Sequence, residues 1–192
     1  MSKARDNHYV PQWYQKGFYA DRKDRLRYIS LHPKIIDLSN GDTKEVFTKK
    51  WRHPSQCFYQ RDLYSTFFGE HINDDIERIL FGRIDETGSN AVRAYVDGGF
   101  ANQHKNFENF FSYLDSQKIR TPKGLDWIRH QYPKLSQLEL MIEMQSIRAI
   151  HCTLWTECVR EIVSTKDSDV KFIISDHPVT VYNYACPPDS IK

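Results

Sequence analysis

The chain has 192 residues, 40% of them apolar, 14% aromatic and 27% charged, with a formal charge of only +2. That is enough chain to bury a core in one domain. No run approaches the roughly 18 apolar residues of a membrane span, and the start, MSKARDNHY, lacks the apolar stretch of a secretion signal, so a cytoplasmic protein with no membrane partner is expected.

Cys57, Cys152, Cys158 and Cys186 form no CxxC pair, which favours free thiols in a reducing compartment over disulfides or zinc. The near-neutral total hides a division. Residues 1–34 hold eight Lys and Arg against three Asp and Glu, whereas residues 69–115 hold four against nine. The basic start could meet an anion such as a nucleic acid, or the two segments could simply attract each other across the fold.

The opening stretch RDNHYVPQWYQKGF (5–18) crowds His8, Tyr9, Trp13, Tyr14 and Phe18 around Pro11. Leaving so many large side chains in water would forfeit roughly 1.5–3 kcal/mol each, so the segment is expected to be ordered, buried and part of a site. Residues 25–48 alternate apolar and charged groups about Asn40-Gly41, a hairpin signal, and predict two or three antiparallel strands. Residues 49–70, rich in aromatics without a clear period, read as a packed loop.

The spacing of Ile72, Ile76, Ile79, Leu80, Ile84, Ala91 and Ala94 predicts a helix over about 73–96, with Asn73 as N-cap and Gly98-Gly99 as terminator. A second helix is predicted in NQHKNFENFFSYLDSQKIR, with Thr121-Pro122 near its end. The segment LSQLELMIEMQSIRAIHCTLWTECVREIVS predicts a third helix of around 30 residues, apolar over most of its circumference and therefore central to the core. Arg148 and His151 within it would need partners. KFIISDHPVTVYN then reads as strand, interruption and strand. The fold class is α+β over a single domain, 1–192: a small N-terminal antiparallel sheet, a central bundle of about three helices including one long buried helix, and a late strand pair around the SDHP turn.

His8, followed three residues later by Pro11, could be a rigidly held base or a structural histidine bonded to a backbone carbonyl. Asp176, ahead of a proline turn, could bind a metal, orient a histidine or accept a proton, or it could cap its own turn. Arg120, at a helix end, could clamp a phosphate or carboxylate, or neutralise the helix terminus and bridge to Asp85 or Glu86. Ser175 has no GxSxG context, and the chain carries no Walker loop, GxGxxG, HExxH or EF-hand loop.

Four short pieces, HYVPQWYQKGF, DLYS (62–65), KIRTPKG and FIISDHPV, resemble in order the bacterial domain-of-unknown-function family 4238, whose members look like HYVPxFYLxxF, RTP and SDNP. His177 stands where the family typically has Asn, and Gln15-Lys16 where it has Leu and a polar residue. Members commonly continue well past the SDNP segment, so either a missing C-terminal part or an unusually short member is expected. The resemblance implies a bacterial or mobile-element protein, with phage defence among the suspected roles, and no established activity.

The expected pocket combines His8, Tyr14, Arg120 and Asp176 around a nucleotide or nucleic-acid phosphate. In its enzymatic form His8 is the general base, Arg120 the phosphate clamp and Asp176 a ligand to a divalent metal such as Mg²⁺ or an orienting group, for phosphodiester cleavage of the nuclease type. The alternative is a non-catalytic structural or partner-binding protein whose aromatic opening plugs the core.

Overall fold

The computed structural model describes residues 5–19, 24–157 and 161–180. Short antiparallel strands fill the first part of the chain and helices the second, the α+β arrangement that the sequence predicts. Strand β1 (Asp6–His8) pairs with β6 (Tyr59–Arg61). Arg5 reinforces the pairing across 57 residues, its Nε 2.9 Å from Asp62 Oδ1, and holds that carboxyl below its usual pKa.

Pro11 then leads into helix α1 (Gln12–Gln15) and a 3₁₀ turn (Lys16–Phe18). The buried Gln15 donates to the carbonyls of Val10 at 2.8 Å and Cys57 at 3.4 Å. The opening segment is thus ordered, but its most deeply buried members are Asn7, Val10 and Gln15. Trp13, Tyr14 and Phe18 are half-buried.

Strands β2 (Leu26–Ile29) and β5 (Lys49–Arg52) pair, and β3 (Lys34–Asp37) pairs with β4 (Thr43–Val46) between them. The turn of the inner hairpin falls at Asn40-Gly41, where Gly41 takes φ +87°, accessible to glycine at little steric cost. Residues 49–70 are not a loop. They contain β5, β6 and β7 (Thr66–Phe68), the last paired with β8 (His71–Asn73). Strands of three or four residues are too short to display a period of two, and the positive φ of Phe58 and Asp62 interrupts the alternation between them.

A π-helical turn (Ile76–Phe81) runs directly into α2 (Gly82–Asp97), which ends at Gly98. Ahead of it Asn73 Oδ1 accepts from the Asp75 backbone at 2.8 Å. The second expected helix is divided at Asn106 into α3 (Phe100–Lys105) and α4 (Phe107–Ile119). There the Asn106 amide donates to the Asn102 carbonyl at 2.9 Å, a side-chain competitor for the helical backbone bond.

Thr121-Pro122 begins a further helix rather than merely closing one. In α5 (Pro122–Gln131) Thr121 Oγ1 accepts from Gly124 N at 3.1 Å, and proline occupies the first turn, where no N–H is needed.

Helix α6 (Gln137–Glu157) is shorter than expected and is buried on one side only. Leu140, Met141 and Met144 face the core, whereas Ile142, Ile150 and Leu154 are 57–66% exposed. Helices α4 and α5 pack on its inner side, and no described element covers the outer one. Its polar residues do find partners. Asp115 on α4, fully buried, stands 2.9 Å from His151 Nδ1, 3.7 Å from Arg148 Nε, and accepts from Trp155 Nε1 at 3.2 Å.

Leu63, Tyr64, Phe81, Ile84, Tyr113, Leu125, Ile128 and the inner residues of α6 make the core. Helix α2 approaches α4 closely at Gly88, where a Cβ would lie 2.7 Å from the Tyr113 ring. Residues 171–180 form no strand. The second late strand, Cys158 and Cys186 lie outside the described residues, as does the side chain of Cys152.

Candidate functional site

Arg120 caps the C-terminus of α4, and its position in the sequence places the guanidinium between β1, the π-helical turn and α2. It is 0% exposed. Such a charge requires compensation, and Nη2 lies 2.9 Å from Asp85 Oδ1, the bridge that the helix-end reading of Arg120 anticipates. Nε donates to the Tyr9 carbonyl at 3.1 Å and to Gln117 at 2.7 Å, while Gln117 donates to the same carbonyl at 3.2 Å. The guanidinium also stands 5.1 Å from the centre of the Phe81 ring. Nη1 is buried without a hydrogen-bond partner among the described residues.

Glu77, on the π-helical turn, belongs to the same cluster. Burial pushes its carboxyl up to about 7 and Asp85 adds to that, while Arg120 and the backbone of His8 oppose it. Its Oε2 is buried without a partner among the described residues. Tyr64 Oη donates to the Arg120 carbonyl at 2.5 Å, and Asn7 Oδ1 accepts from the Tyr64 backbone at 3.2 Å, so the first motif, DLYS and RTP are fastened together.

The late motif joins from outside. His177 Nδ1 lies 2.7 Å from Thr121 Oγ1. Asp176 is exposed, yet its charge bears on the Tyr9 phenol, which burial foremost pushes up to about 12. Burial foremost lowers the His177 pKa; the charge of Lys123 and, less strongly, that of Lys118 lower it further, and Asp176 opposes them. Two lysines and one carboxylate thus bear on the His177 ring beside the start of α5.

Of the four residues expected in one pocket, Arg120 bonds to the Tyr9 carbonyl, and Asp176 acts on the Tyr9 phenol only through its charge. Tyr14 lies to one side, its ring 6.2 Å from that of Tyr113, in a cleft of about 760 Å³. His8 turns its ring to Tyr59, 5.6 Å between centroids, and to the Gln12 amide. Burial lowers its pKa.

Sequence reasoning named Tyr9 only within the opening aromatic stretch and His177 only as a departure from the family pattern, and it gave no site role to Glu77, Gln117, Lys118 or Lys123. Gln117 borders a motif already singled out and Lys118, Lys123 and His177 lie within motifs, which was the available signal, whereas Glu77 lies twelve residues past DLYS. Among the described residues no three His, Cys, Asp or Glu are grouped to hold a metal ion. Nor is any helix among them long and apolar enough to cross a membrane.

These features define an α+β protein in which three separated motifs meet around a buried, carboxylate-paired arginine. The family described as "Protein of unknown function (DUF4238)" matches residues 6–190. The chain belongs to that family. No curated protein and no solved structure matches it.

Proposed function

We propose that the protein binds a phosphate-bearing ligand, a nucleotide or a nucleic-acid phosphate, at the mouth formed by Lys118, Lys123 and His177. The carrying observation is the His177 ring held 2.7 Å from Thr121 at the N-terminus of the ten-residue helix α5, under the positive charge of two lysines. The charges of Lys123 and Lys118 and the dipole of α5 favour an anion there, with the Asp176 carboxylate opposing them. Arg120 lies behind this mouth, its charge already balanced by Asp85. It supports the walls of the site.

The hydrolytic form of this reading assigns His8 and Asp176 to catalysis with a divalent metal such as Mg²⁺. Mg²⁺ is ordinarily held by one or two carboxylates together with substrate phosphates, so Asp176 would serve as a single protein ligand in this form. A partner-binding reading rests on a separate observation, the exposed Leu31, Ile35, Ile36 and Phe47 of the β2–β5 ribbon.

Calorimetric titration with inorganic phosphate and with a single-stranded oligonucleotide tests the proposal. Wild-type protein should bind, Lys118→Ala and Lys123→Ala should each weaken binding several-fold, and added salt should weaken it further. Absence of binding to either probe, or lysine variants indistinguishable from wild type, removes the reading.

A further inference from the structure

We infer that the β3–β4 ribbon is a self-assembly arm, whose basic face docks on the acidic face of the same ribbon in a second copy of the chain. The inference is independent of the phosphate-binding reading, and it names a partner for the exposed apolar residues of this ribbon.

The ribbon is covered on neither side by the rest of the described chain. All eight residues of β3 and β4 are exposed, with Ile35 at 70%, Ile36 at 46% and Val46 at 37%. Each strand pairs only with the other, in a sheet of two. A two-stranded hairpin is marginal in water by itself and gains stability by laying an apolar face on something else. Here Ile35 and Ile36 are consecutive in one strand and point to opposite faces, so both faces need a cover.

The strand register decides what stands on each face. Residues directly opposite across an antiparallel pair share a face, and successive residues alternate. The pairs Lys34–Val46 and Ile36–Lys44 therefore make one face, and Ile35–Glu45 and Asp37–Thr43 make the other. The first has two cations and no carboxylate. The second has two carboxylates and no cation. On each face the like charges occupy one diagonal of the quartet, roughly 7–8 Å from one backbone position to the other, and the uncharged side chains occupy the second diagonal. Among the described residues none of the four charged groups forms an ion pair.

Charge selects the partner. Stacking the basic face of one copy on the acidic face of another, at the roughly 10 Å that separates packed sheets, sets two lysines against two carboxylates and lays Ile36 and Val46 over Ile35. A two-fold arrangement would instead bring like face to like face, four lysines together or four carboxylates together. The contact is thus heterologous, and it builds a ring or a row of copies. A nucleic acid or an acidic peptide would answer the basic face alone, whereas a second copy answers both.

Sedimentation velocity and light scattering on the full chain, at rising protein concentration, test the inference. Wild type should pass from monomer to species of twice the chain mass or more. Lys34→Glu with Lys44→Glu makes both faces acidic, and Asp37→Lys with Glu45→Lys makes both basic. Each double variant should stay monomeric while keeping the near-ultraviolet circular dichroism of wild type. All four substitutions together exchange the two faces at unchanged net charge and should restore association. Ile36→Ser, which keeps every charge, serves if a double variant loses its circular dichroism, and it should weaken association several-fold.

Wild type that is monomeric throughout overturns the inference, as does a four-fold variant that stays monomeric or an Ile36→Ser variant that associates like wild type. Loss of association confined to the variant without lysines overturns it in favour of a polyanion held on the basic face. Undiminished association of both double variants overturns it by showing that another surface joins the copies.

Discussion

Thr121 Oγ1 lies 2.7 Å from His177 Nδ1 and also accepts the Gly124 backbone N–H, so one hydroxyl both starts α5 and fastens the late motif to the body of the protein. Thr121→Val keeps the shape and removes both bonds. The expected loss is about 1–2 kcal/mol from the cap, measured by urea denaturation. Faster amide exchange in 175–178 should accompany it. Thr121→Ser retains the hydroxyl and should stay close to wild type in both measurements.

Arg120 and Asp85 should behave as a buried pair. Arg120→Met leaves the Asp85 carboxylate without its countercharge and is expected to destabilise by about 3–5 kcal/mol. Asp85→Leu alone strands the guanidinium and should be comparably severe. The double variant, with no buried charge left at either position, should be more stable than either single one. Additive losses would show that the two side chains do not act as a pair.

Glu77 predicts a pH dependence of defined sign. Its folded pKa of about 7 exceeds the ordinary 4.5, so the folded protein holds this proton more tightly than the unfolded chain. The residue then costs nothing below about pH 4.5, costs progressively more as pH rises, and reaches its full effect above 7. The full effect is on the order of 3 kcal/mol. Glu77→Gln should accordingly raise the melting temperature at pH 8 and change it little at pH 4.5. An equal gain at both values would mean that this carboxyl is not the titrating group.

Deleting residues 1–18 should abolish cooperative folding. It takes away the Tyr9 carbonyl that Arg120 and Gln117 share, the Asn7 acceptor of the Tyr64 N–H and the strand partner of β6. A truncated protein with an unchanged melting transition would show that the segment is an appendage.

Several of these relationships were legible in the sequence and others were not, for physical reasons. The hairpin at Asn40-Gly41 and the terminator Gly98-Gly99 are local chemistry, readable from a few residues. Helix α5 was signalled by a threonine before a proline, an N-cap and first-turn pair, but the same dipeptide also suits the end of the preceding helix. For α6, an apolar circumference cannot say which side a neighbour covers, and the structure buries Met141 and Met144 while leaving Ile150 exposed. The Glu77–Arg120–Asp85 cluster was half visible. The bridge to Asp85 follows from charge at a helix end, whereas Glu77 lies on a π-helical turn, a backbone feature with no residue signature.

The bond from Arg120 Nε to the Tyr9 carbonyl spans 111 residues, and this has a consequence for the order of events during synthesis. At roughly 5–20 residues per second, on the order of ten seconds separate the emergence of the two partners from the ribosome. Through that interval the aromatic opening can hold only provisional contacts, with β6 available after about half of it. The buried guanidinium must then be enclosed in one late closure. The Arg120 cluster therefore closes only after more than half of the chain has emerged, and a nascent chain stalled before residue 120 would present Trp13, Tyr14 and Phe18 to chaperones.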